Sequence, residues 1–116
     1  MQKGSKLKEL SKAEELVLLT IWKMRDNAYG VALRRKIKQD TGKDIPYGTL
    51  YFLLDQLRIK EYVHKTAGEP TPKRGGRSKT FYRITPEGKE ALKIAMEMYQ
   101  KVWGDIDDLA FDRSVS

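Results

Sequence analysis

Tyr47-Gly48-Thr49-Leu50-Tyr51-Phe52-Leu53-Leu54-Asp55-Gln56-Leu57-Arg58-Ile59-Lys60 sets leucines at 50, 53, 54 and 57. This i, i+3, i+4, i+7 spacing lines one face of an α-helix. A single stripe of that kind predicts a helix over residues 47–60 with one buried side. Tyr47, Thr49, Tyr51, Phe52, Asp55, Gln56 and Arg58 are left for the rest of its surface. Pro46 suits the entry, because the N–H it lacks would have no partner in a first helical turn. After Lys60 the pattern changes. Residues 62–67 and 79–84 carry the strand formers Tyr62, Val63, Thr66, Thr80, Phe81, Tyr82 and Ile84. Between them, residues 68–78 hold Pro70, Pro72, Gly68, Gly75 and Gly76, which forbid regular structure and predict a loop.

Upstream, Ser11-Lys12-Ala13-Glu14 spells a capping box, in which the Ser hydroxyl and the Glu carboxylate satisfy the first N–H groups of a helix. That helix is expected to run to about Arg25. Leu16, Val17, Leu18, Leu19, Ile21, Trp22 and Met24 make it apolar nearly all round, so it must be covered on more than one side. In a chain of 116 residues part of that cover can come from a second subunit. A second helix is expected over residues 31–41, closed by Gly42, with Leu33 and Ile37 inward and Arg34, Arg35, Lys36 and Lys38 on a solvated face, from which one or two could still touch backbone phosphates. Downstream, Thr85-Pro86 places an N-cap and a first-turn proline before a last helix reaching Trp103. Leu92, Met96, Tyr99, Trp103 and Ile106 follow at steps of 4, 3, 4 and 3, the seam of a helix–helix contact. Gly104 is placed to end the helix before Ile106 joins.

The order of elements predicts a mainly α chain with a small β-hairpin: a winged helix-turn-helix followed by a dimerisation helix. Its parts would be a flexible lead (residues 1–10), the winged-helix domain (11–85), the dimerisation helix (86–104) and an acidic tail (105–116). The expected dimer interface is Leu16 and Leu19 with Leu92, Met96, Tyr99 and Trp103.

Charge is uneven along the chain. Arg58, Lys60, Lys65, Lys73, Arg74, Arg77, Lys79 and Arg83 stand against only Glu61 and Glu69 in that stretch, so nearly all of the net +7 lies there. Such clustering suggests a polyanionic partner. The absence of cysteine excludes disulfides and thiolate metal sites, and the lone His64 leaves no histidine pair for zinc. No nucleophile–base arrangement, paired carboxylates or phosphate-binding glycine loop is present, so catalysis has no visible apparatus and no cofactor is expected. The lysine-rich start carries no apolar signal core, and the longest apolar run, residues 16–19, is too short to span a bilayer. The expected location is the cytoplasm.

A major groove about 12 Å wide admits one helix, and the helix at 47–60 has a free face to offer it. Tyr47, Gly48 and Thr49 are the expected contacts to double-stranded DNA. Tyr51 either joins them or packs between helices with its hydroxyl at the surface. Lys73, Arg74, Arg77 and Lys79 on the wing would hold phosphates, unless that loop is only solvated charge. Met96, Tyr99 and Trp103 are a dimer core, or a pocket in which two indoles sandwich a flat aromatic compound. An alternative is a winged-helix protein-interaction module using the exposed Phe52, although the clustered positive charge argues against it.

Leu10-Ser11, Glu14, Tyr29-Gly30, Gly48-Thr49-Leu50-Tyr51 and Tyr82-Arg83-Ile84-Thr85-Pro86-Glu87-Gly88 together resemble the PadR family of bacterial transcriptional regulators, from about Leu10 to Trp103. The chain is similar to members whose C-terminal region is a single helix. The resemblance implies a repressor that dimerises through the last helix and responds to a small aromatic or cationic compound. Phe52 departs from the family pattern, which usually has proline after the tyrosine.

Overall fold

The computed structural model describes residues 7–68, 79–104 and 106. Helix α1 (Lys12–Met24) starts at the capping box read from the sequence: the Glu14 amide donates to the Ser11 hydroxyl at 3.1 Å, and the Ser11 amide to the Glu14 carboxylate at 2.8 Å. A short 3-10 turn (Arg25–Asn27) leads to α2 (Gly30–Thr41). Gly42 ends α2 in the left-handed region at φ 78°, its amide donating to the Lys38 carbonyl. Helix α3 (Tyr47–Ile59) is followed by the antiparallel strands β1 (Val63–Ala67) and β2 (Thr80–Ile84), with Val63 opposite Ile84 and Ala67 opposite Thr80. Helix α4 spans Pro86–Gly104, and its entry is capped as expected, the Gly88 amide donating to the Thr85 hydroxyl. Ile106 lies past the helix end, its amide on the Trp103 carbonyl.

The four leucines of α3 (50, 53, 54 and 57) are all buried, packed with Val17, Leu18 and Ile21 of α1 and with Leu33 and Ile37 of α2. Each fully buried leucine contributes roughly 1.5–3 kcal/mol, so this stripe fixes α3 on the other two helices. Tyr62, Val63 and Tyr82 extend the core beneath the hairpin, and Ala91 and Leu92 close it from α4.

Three features go beyond the sequence reading. Helix α3 ends in a full Schellman motif around Glu61, a non-glycine residue at φ 65°: the Glu61 amide donates to the Arg58 carbonyl and the Tyr62 amide to the Leu57 carbonyl. Tyr29 forms an isolated bridge to Phe81, and the Tyr82 amide donates to the Ala28 carbonyl, so the hairpin is stitched to the start of α2. Residues 7–10, expected within a flexible lead, are tied down instead. The Tyr62 hydroxyl donates to the Lys8 carbonyl, and the Lys60 ammonium donates to the Glu9 carbonyl and to the buried Glu14 carboxylate.

Candidate nucleic-acid interface

Helix α3 presents a layered surface. Pro46 supplies no side-chain cap, so the first-turn amides remain directed at the helix entry, where the helix dipole favours an anion such as phosphate. Tyr47 and Tyr51 are both exposed and stack with 6.3 Å between ring centroids. Thr49 and Phe52 are exposed beside them. Asp55, the helix's one carboxylate, pairs with Arg58 at 2.8 Å, which offsets the repulsion it would exert on a polyanion.

The expected contacts Tyr47, Gly48, Thr49 and Tyr51 thus come together on one exposed end of α3. Tyr51 packs against α2 the opposite way round from the packing alternative, in which its hydroxyl lies at the surface. Its ring is accessible, while its hydroxyl occupies the space that a Cβ on residue 30 would need. Glycine at position 30 is therefore what lets the tyrosine lie across the start of α2. Gly48 has open space around it, with nothing within 4 Å of a Cβ built there. A backbone this bare can approach a phosphate closely.

Arg34, read from the sequence as part of a solvated helix face, is instead held at the entry of α3. Its Nε donates to the Ile45 carbonyl at 2.5 Å, its guanidinium pairs with Asp44 at 2.8 Å, and its guanidinium carbon lies 4.5 Å from the Tyr47 ring centroid. It holds the α2–α3 turn and Tyr47, the first residue of α3, together. Lys36 and Lys38 pair with Asp40 and Asp44. Asp40, between Lys23 and Lys36, has its carboxyl held below the usual range, chiefly by its hydrogen bond from Lys23.

On the hairpin, Lys79 lies over the Tyr29 ring at 4.3 Å, and Arg83 pairs with Asp26. Both side chains remain exposed at the root of the wing. Lys73, Arg74 and Arg77 lie outside the described residues.

A second surface lies on α1 and α4. An apolar groove of about 1030 Å³ runs between them, with Leu16, Leu19 and Trp22 on one wall and Met96, Tyr99 and Trp103 on the other. Leu19, Trp22, Met96 and Trp103 are exposed along it. The Tyr99 hydroxyl meets the Glu15 carboxylate at 3.2 Å, beneath the Lys12 ammonium. Leu92 differs from its seam neighbours: it is buried and forms part of this chain's own core. Among the described residues no cluster of three or more metal-ligating side chains occurs, and no helix is long and apolar enough to cross a membrane.

The pattern of the transcriptional regulator PadR-like family matches residues 17–94. No curated protein matches the chain. Among solved structures, a PadR-like transcription factor from Bacteroides fragilis superposes with a TM-score of 0.69 at 18% identity, covering 84% of this chain and 88% of that one. A transcriptional regulator from Clostridium thermocellum gives 0.65 at 26% identity, covering 80% and 87%. A PadR family transcription regulator from Clostridium difficile gives 0.60 at 21% identity, covering 80% and 96%.

Proposed function

The chain belongs to the PadR-like family of transcriptional regulators, and from that premise we propose that it acts as a homodimeric, ligand-responsive repressor. Family and fold make it a DNA-binding regulator rather than an enzyme. Dimerisation, repression and response to an effector are the further steps of the proposal. It would work in the cytoplasm, where its DNA target is.

The apolar groove between α1 and α4 carries the reading. Large apolar side chains on two adjacent helices face solvent there, although the same helices bury their other faces in the core. A second copy's α4 supplies a partner of the right length and character, since α4 is itself apolar on this side. Two α3 helices related by a two-fold axis would then meet successive turns of the major groove, with half-sites about 34–36 Å apart. Repression follows from occupying the site.

The effector reading rests on the same place. Trp103 and Tyr99 lie near the groove's end, and a two-fold axis passing close to Trp103 would set two indoles face to face around a planar aromatic compound. Light scattering on the eluting protein tests the dimer: wild type should have twice the chain mass and Met96→Glu the chain mass. A wild-type monomer at micromolar concentration removes the dimer. Titrating a Trp22→Phe variant with planar dyes isolates Trp103. Saturating fluorescence quenching supports the effector pocket, and a flat titration removes it.

A further inference from the structure

Phe52 is 61% exposed, the most exposed large apolar side chain among the described residues. It stands on the side of α3 away from the buried leucines. Gly48 faces the same way one turn earlier, where nothing crowds the approach. Hydrogen-bonding groups are sparse on this end of the helix. Residues 47–53 contain no Arg, Lys, Asn or Gln, the side chains that make bidentate bonds to guanine or adenine edges. Thr49 and the two tyrosine hydroxyls are the polar side-chain groups there, and Phe52 is the large apolar one.

The major-groove edges of the four base pairs carry one apolar group, the C5-methyl of thymine. We propose that Phe52 is a specificity-determining residue that recognises the C5-methyl group of thymine in the major groove. This rests on α3 being the reading helix. A phenyl ring against a methyl group removes apolar surface of both from water, and it discriminates against cytosine and purines at that step without a hydrogen bond. A protein partner is the competing occupant for such a ring. Duplex DNA is favoured because the chain from Arg58 to Arg83 carries nearly all of the net positive charge, whereas the cores of protein interfaces are depleted in charge.

The test begins with selection of bound duplexes from a random-sequence library by the full chain. A selected duplex is then resynthesised with deoxyuridine at each thymine in turn, which deletes only the C5-methyl. Wild type should bind about threefold to fivefold more weakly at one or two positions per half-site, while Phe52→Ala should bind the thymine and uracil duplexes equally. Phe52→Leu, which keeps apolar surface, should retain part of the difference, and it serves if the alanine variant fails to fold. Equal methyl sensitivity in wild type and variants overturns the assignment, as does insensitivity of the wild type to every replacement. Enrichment of no duplex would instead overturn α3 as a reading helix, and the Phe52 assignment with it.

Discussion

Arg34 of α2 covers the ring of Tyr47, the first residue of α3, with 4.5 Å between the guanidinium carbon and the ring centroid. The same side chain binds the Ile45 carbonyl and Asp44, so one residue spans the turn and the entry of α3. Replacing it with alanine should cost about 1–2 kcal/mol of stability, the worth of a charge-assisted hydrogen bond and a partly exposed cation–π contact. DNA affinity should fall further than stability, because Tyr47 loses the plane that orients it. Arg34→Lys should recover little, since an ammonium lacks the flat fork. Urea denaturation and a DNA titration on both variants check this. Full wild-type behaviour in Arg34→Lys would assign the effect to the Asp44 pair alone.

Two glycines should respond in opposite ways to alanine. A Cβ on Gly88 would collide with the Tyr62 carbonyl oxygen, which accepts the Thr85 amide and cannot yield without breaking that bond. Gly88→Ala should therefore destabilise by about 3 kcal/mol or more. Gly48→Ala meets open space and gains helix propensity, so it should be neutral or stabilising by up to about 1 kcal/mol. It should nonetheless weaken DNA binding if backbone approaches phosphate there. Thermal melts and affinity measured side by side separate the two effects.

Local signals in the sequence carried much of this fold. The Ser11–Glu14 box, the leucine stripe of α3, Gly42 and Thr85 act within one or two helical turns, and each appears where its spacing places it. What escaped reading is long-range. Arg34 reaches a carbonyl eleven residues ahead, and Tyr62 and Lys60 fasten residues more than fifty positions earlier. No periodicity encodes such pairs. Periodicity is also blind to which surface a stripe meets. Leu92 shares the seam of Met96 and Trp103 yet is buried in its own core, because the buried residues of α4, Gly88, Ala91 and Leu92, all lie in its first two turns. Glu61 gave no C-cap signal, since glycine or asparagine is the usual residue in that conformation.

Tyr62 and Tyr82 predict an alkaline limit to stability. Burial raises the pKa of both phenols above the ordinary value near 10; the Glu14 carboxylate adds to the shift at Tyr62, and Tyr51 and Asp55 add to it at Tyr82. A raised folded-state pKa contributes stability that is complete below the unfolded value and is lost as pH rises through the folded one. Stability should hold up to about pH 10, then fall by as much as about 1.4 kcal/mol per pH unit for each tyrosine. Tyr82→Phe should flatten this limb. Tyr62→Phe should flatten it too, while losing the bond to Lys8 at every pH. Urea midpoints from pH 8 to 11.5 would show either slope.

The wing and the reading helix should separate under salt. If Lys73, Arg74 and Arg77 hold phosphate, which carries no sequence information, replacing all three with alanine should weaken every duplex alike. For each phosphate no longer neutralised, the slope of log affinity against log salt should shrink by about 0.9. Lys79→Ala should do less, because its ammonium already rests on the Tyr29 ring. Tyr47→Phe and Thr49→Ala should leave the slope nearly unchanged and instead reorder the preferred sequences. Affinities for three unrelated duplexes at four salt concentrations distinguish these patterns. If the triple variant kept the wild-type slope, the phosphate-binding cations would have to lie elsewhere, and the exposed Lys65 and Arg83 on the hairpin strands would be the next to replace.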